Sequence, residues 1–152
     1  MKLNLLALLF FSVMLSINAS AQSDAAGPGV IKAFPAIYPN VAAAARASGS
    51  VVIEVKVDSS GKVISAHIVE GIPLLGVAAE KSARRWIFAP ETKHMERAVR
   101  LTFTFKLMPE DAPAEELLPI FMPPYHVEVR RALPKVVDSP NIDPPLPVRK
   151  KS

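Results

Sequence analysis

Three histidines, His67, His94 and His126, are the side chains best suited to moving a proton or holding a metal near neutral pH. His94-Met95-Glu96 sets an imidazole and a carboxylate two positions apart. Such a pair alone cannot complete a zinc site, which needs three or four ligands. His67 falls in the middle of an alternating stretch and reads as a surface or partly packed residue, while His126 lies in a proline-rich tail. Ser59 and Ser60 are turn residues without a positioned base, and Glu54 and Asp58 have no matching acid for paired acid–base work. Gly71 and Gly76 do not make a phosphate-cradling loop. The chain has no cysteine, which removes disulfides, thiolate metal sites and cysteine nucleophiles. These residues predict no catalytic group, no metal, no cofactor and no enzymatic activity. The net charge of +4 is spread along the chain, with one basic cluster at Arg149-Lys150-Lys151. No basic stripe with interleaved aromatic residues is present, so nucleic acid is not an expected partner.

With chemistry set aside, binding is the function to look for, and the elements that would support it follow from residue pattern. Met1-Lys2, the apolar run Leu3 to Ile17 and the small residues Ala19-Ser20-Ala21 form a secretory signal over residues 1–21. The run is shorter than the ~20 residues needed to span a bilayer. The mature chain is therefore expected to be exported. If the signal is retained, it anchors the protein in a membrane. Residues 22–33, with Gly27-Pro28-Gly29, read as a flexible lead-in.

Phe34-Pro35-Ala36-Ile37-Tyr38-Pro39 is extended, because a residue before proline is pushed out of the helical region. Pro39 then opens an alanine-rich helix to about Ser48, with Gly49 as its left-handed cap. Val51, Ile53, Val55 and Val57 alternate with Glu54 and Lys56, the pattern of a half-buried antiparallel strand. Asp58-Ser59-Ser60-Gly61 is a turn, with Asp58 bonding its own backbone and Gly61 taking positive φ. Val63 to Glu70 returns as a second strand. Its apolar residues sit on both faces, which leaves its register open by one residue; a bulge would resolve it.

Pro73 can start a second helix, whose stripe is Leu75, Ala78, Ala79, Ser82, Ala83 and Trp86. Pro90 stops its continuation, and Trp86 and Phe88 insert over the sheet. After a polar loop, Val99, Leu101, Phe103, Phe105 and Leu107 alternate with Arg100, Thr102, Thr104 and Lys106. The predicted fold is α+β, two helices packed on a three-stranded antiparallel sheet over residues 34–107. Residues 108–152 hold ten of the fifteen prolines and are expected to be extended or disordered, although Val127-Glu-Val-Arg130 has the alternation of a short added strand.

The combination of Tyr38-Pro39, Gly49 before a valine strand, Asp58-x-x-Gly61-x-Val63, Gly71-x-Pro73-Leu-Leu, Ala78-Ala79 and Ala83-x-x-Trp86-x-Phe88-x-Pro90 resembles the C-terminal domain of TonB, the energy transducer of Gram-negative outer-membrane transport. The resemblance implies a periplasmic domain that binds the N-terminal segment of a TonB-dependent outer-membrane receptor by strand addition. The edge it implies is the last strand: Ala98, Val99, Arg100, Leu101, Thr102, Phe103, Thr104, Phe105 and Lys106. Tyr38, Pro39, Gly49, Asp58, Gly61, Trp86, Phe88 and Pro90 would be the structural motif. The family's membrane anchor carries a polar residue that couples to a proton-driven motor, and a long proline-rich span follows it; neither is recognisable before residue 34, so energy coupling is not expected. Ile37 and Gly76 stand where glutamine and an acidic residue are common. The competing expectation is a free-standing periplasmic scaffold that pairs an open strand edge with a second copy. N-terminal sequencing of the exported protein should give a mature chain starting at Gln22; a start at Met1 would contradict cleavage.

Overall fold

The computed structural model describes residues 27–92 and 95–135. The signal segment, the first part of the lead-in, His94 and the tail beyond residue 135 lie outside the described residues. The elements in chain order are β1 (Val30–Lys32), α1 (Asn40–Ala44), β2 (Gly49–Val57), β3 (Val63–Glu70), α2 (Pro73–Ala83), β4 (Ile87–Phe88), β5 (Arg97–Met108), a 3-10 turn (Ala114–Leu117), β6 (Ile120–Met122) and β7 (His126–Ala132). Among the described residues no helix is long and apolar enough to cross a membrane.

The fold is α+β, as expected, but the sheet is larger than three strands. Its order is β3-β2-β5-β7-β6, five strands, with β1 and β4 as a separate two-stranded pair. The first three strands are antiparallel, as the alternation required. β7 then enters parallel to β5, between it and β6. The expectation of a disordered tail from residue 108 is therefore corrected for residues 114–132. Val127 and Val129 have apolar surface to bury and are almost fully buried in the common core. That burial offsets the ordering cost of a proline-rich segment. Part of the lead-in is also ordered, because Val30 and Lys32 pair with Phe88 and Ile87.

The helical ends differ from expectation in an instructive way. α1 stops at Ala44, and the left-handed residue that follows it is Arg46, at φ 53°; Gly49 also has positive φ, 140°, but is not the helix cap. Gly49 instead begins β2 opposite Phe105. Pro73 does occupy the first turn of α2, where its missing N–H costs nothing. Leu75, Ala79, Ser82, Ala83 and Trp86 of the predicted stripe are buried over the sheet.

The open register of β3 is resolved by two bulges. Its pairing with β2 slips between Val52 and Ile53 and between Lys56 and Val57, so that Val69 and Ile64 are the extra residues. The turn between β2 and β3 is held by one carboxylate oxygen: Asp58 Oδ1 accepts the Ser60 and Lys62 amides, both at 2.9 Å, and the Ser60 hydroxyl at 2.7 Å. These bonds, led by the Ser60 hydroxyl, hold the Asp58 pKa below its ordinary value. Gly61, at φ 86°, also lets the turn pass against β4, since a Cβ there would meet the Phe88 carbonyl at 1.9 Å.

One carbonyl ties the helix layer to the extended entry. Phe34 O accepts both Ser82 Oγ at 2.7 Å and Trp86 Nε1 at 2.9 Å. The Trp86 ring meets Phe103 edge-on at 6.1 Å and Phe88 at 6.2 Å. Trp86→Ala removes a ring that is 2 % exposed and should cost about 3–5 kcal/mol, measured as a fall in the denaturant midpoint. Asp58→Ala should destabilise near neutral pH. Because the folded pKa of Asp58 is lowered, its contribution is present above the unfolded pKa and lost as pH falls through the folded one. Wild-type and variant unfolding midpoints should therefore converge in acid; a gap that stays constant into strong acid would contradict this account.

Candidate functional site

The expected binding edge belongs to β5, and alternation fixes what each of its residues does. Val99, Leu101, Phe103 and Phe105 are buried beneath the helix layer. Ala98, Arg100, Thr102, Thr104 and Lys106 point to the other face, where Arg100 pairs with Glu54 at 3.4 Å. One side of β5 is fully engaged by β2, from Arg97 opposite Val57 to Phe105 opposite Gly49.

The other side is the edge that an added strand would use, and it is divided. From Thr102 to Met108 it pairs in parallel with His126 to Ala132. The expectation that Ala98 to Lys106 form one open edge is thus corrected for Thr102, Phe103, Thr104, Phe105 and Lys106. Thr102 N–H donates outward to Tyr125 O at 2.9 Å. Backbone groups alternate along a strand, so Arg100 and Ala98 also present theirs outward, and β7 does not extend to them. Ala98 to Leu101 is the part left open among the described residues. It borders a cleft of about 600 Å³ lined by Gly27 to Gly29, Ala89 to Glu91, Arg97 and Ala98. Arg97 spans this cleft, bonded to Ala89 O at 3.0 Å and paired with Glu91 at 3.1 Å.

β7 is held by more than its ladder. Val127 is 0 % and Val129 4 % exposed, both packed with the core. The Tyr125 ring packs at 6.3 Å on Phe88, and its hydroxyl donates to Pro28 O at 2.9 Å. Burial raises the Tyr125 pKa, partly offset by the nearby Arg97 cation. Arg131 donates to Tyr38 O at 2.9 Å and to Asn40 Oδ1 at 2.6 Å. The outer side of β7 is covered in turn, by β6 from His126 to Glu128 and by Arg130 reaching Glu116 O at 3.3 Å.

A polar row crosses three strands on the face away from the helices. His126 Nε2 lies 2.9 Å from Thr104 Oγ1, which lies 2.9 Å from Ser50 Oγ. A hydroxyl beside an imidazole is the start of a nucleophile–base pair, but among the described residues no carboxylate bonds the His126 ring to orient it. The row serves as a cross-strand ladder between β2, β5 and β7. Among the described residues no cluster of three or more metal-ligating side chains occurs.

The motif residues sit in the framework around this edge. Tyr38 is buried edge-on to Phe105 at 5.3 Å and bonds the Ala47 carbonyl. Burial raises its pKa, with Arg131 acting in the opposite sense. Pro39 caps α1, Phe88 is fully buried and Pro90 lines the cleft beside Ala98. Tyr125, Val127, Val129 and Arg131 were not foreseen as site residues; the Val127-x-Val129 alternation was their signal.

Residues 35–107 match the family profile described as Gram-negative bacterial TonB protein C-terminal, a match that supports the likeness of this domain to that family. The family is one of the Gram-negative envelope, with a role in outer-membrane transport and an affinity for outer-membrane receptors. The match ends at Leu107, so β6 and β7 lie beyond it. No curated protein matches the chain.

Proposed function

We propose that this TonB C-terminal-like domain is a periplasmic peptide-binding module of outer-membrane transport, without catalytic activity, that takes up an extended receptor segment alongside β5. The observation that carries the reading is the parallel pairing of β5 with β7. It supports an edge able to hold a seven-residue strand through backbone bonds, from Thr102 to Met108. A receptor segment would enter at Ala98 to Leu101, where the outward backbone groups are free of β7, and exchange with β7 as it advances. Backbone pairing would supply affinity, and the alternation of buried and exposed positions would fix register.

The exchange gives a clear expectation for titration with a synthetic plug-end segment of a TonB-dependent receptor. Because β7 holds the edge, the competent fraction of the full chain is small, which weakens apparent affinity by that fraction. Val127→Ala with Val129→Ala loosens β7 and should tighten binding by on the order of tenfold. Arg100→Pro removes an outward donor at the point of entry and should abolish it. Equal affinity in wild type and both variants would reject strand exchange on β5.

A further inference from the structure

The outer side of the helix layer carries cations that the fold leaves without acids. Lys32 Nζ lies 5.0 Å from the centre of the Phe34 ring, and the Arg85 guanidinium carbon lies 4.3 Å from the same centre. Arg85 and Lys81 border one groove between α2 and the extended entry. Among the described residues none of these three cations is in an ion pair. Glu80, beside Lys81 in sequence, is bonded to Arg84 at 2.6 Å and lies on another flank of α2 by helical spacing. Like charges gathered this closely repel one another, and an anionic partner relieves that repulsion.

Apolar side chains stand among the cations. The groove, about 270 Å³ and open to solvent, has Pro35, Ile37, Pro39 and Ala78 as further walls. Ile37 is 83 % exposed, although Ala36 and Tyr38 on either side of it are buried. The alternation of the extended entry turns it outward. On α2, Leu74 and Val77 are exposed and lie one to two turns before Lys81, on the same outer flank. A soluble anion would use the cations alone and give no role to the isoleucine beside them. Cations mixed with protruding apolar tips fit the surface of an anionic bilayer, where phosphates meet the charges and the apolar tips enter the acyl boundary.

We propose that the helix layer docks on an anionic phospholipid bilayer, with Lys32, Lys81 and Arg85 on headgroup phosphates and Ile37 dipping below them. The docking face is built from the entry segment and α2, so the proposal does not rest on receptor binding at β5. Co-sedimentation of the exported chain beginning at Gln22 with lipid vesicles tests it. Mixed phosphatidylcholine–phosphatidylglycerol vesicles should bind the chain, and phosphatidylcholine alone should not. Lys81→Gln should weaken binding by about fivefold, the contribution of one cation at an anionic surface. Lys81→Gln with Arg85→Gln should weaken it by about 25-fold. The single variant leaves the Phe34 contact of Arg85 intact, so it decides the matter if the double variant is destabilised. Ile37→Ser, at an exposed position, should weaken binding several-fold. Replacing Arg149, Lys150 and Lys151 by Gln removes the other basic cluster and should cost less than the groove variants. Four results would each overturn the proposal: equal binding to both vesicle types, groove variants that bind like wild type, loss confined to the tail variant, or an Ile37→Ser variant that binds undiminished. Uptake of an acidic peptide without vesicle binding would likewise reject it. Titration of the receptor segment on the same variants, without vesicles, reports on β5 alone and should be unchanged.

Discussion

The backbone of β5 sets the terms for the whole domain. A strand inside a sheet has two rows of donors and acceptors, and both must find partners or face water. β2 satisfies one row from Arg97 to Phe105. The other row would be an exposed margin in a three-stranded sheet, and β7 fills most of it. Everything near the second row follows from that completion. Tyr125 closes over Phe88, Val127 and Val129 extend the core, and β6 and the 3-10 turn cover the new outer strand. The four residues left over, Ala98 to Leu101, are open because β7 begins too late to reach them.

The parts of this arrangement that were legible in sequence are those encoded over short range. The valines of β2 and the Val-Leu-Phe-Phe set of β5 declared both strands and the faces they bury. Asp58 and Gly61 declared their turn, and the two-sided apolar pattern of β3 left open the register that its bulges resolve. Pro73 and Trp86 bracketed α2 closely. Gly49 misled, because either a helix cap or a strand start beside a bulky neighbour can use a glycine. Here Arg46 absorbed the left-handed turn first.

The candidate site was legible in position but not in state. Alternation placed Ala98 to Lys106 on a strand, and family resemblance made it the binding strand. Nothing local in that segment reveals that its margin is filled by residues some twenty positions further on. The filling strand is short and set among prolines, so composition argued for disorder. Its stability comes from contacts to Phe88, Pro28 and Tyr38, all distant in sequence. The same holds for β1, whose three residues gain order only because Ile87 and Phe88 lie beside them.

Two hydrogen bonds carry a consequence for how the chain acquires its structure. Tyr125 to Pro28 spans 97 residues, and Arg131 to Tyr38 spans 93. Contacts of such separation close large loops and slow folding. They also give folding a direction. A chain emerging N-terminus first can assemble β2, β3 and α2 early and seat β1 against β4, but the Pro28 and Tyr38 carbonyls lack these partners until Tyr125 and Arg131 arrive. Completion is thus withheld until residues 125–131 are available, and before that moment β5 still offers an uncovered margin to whatever extended segment is nearby.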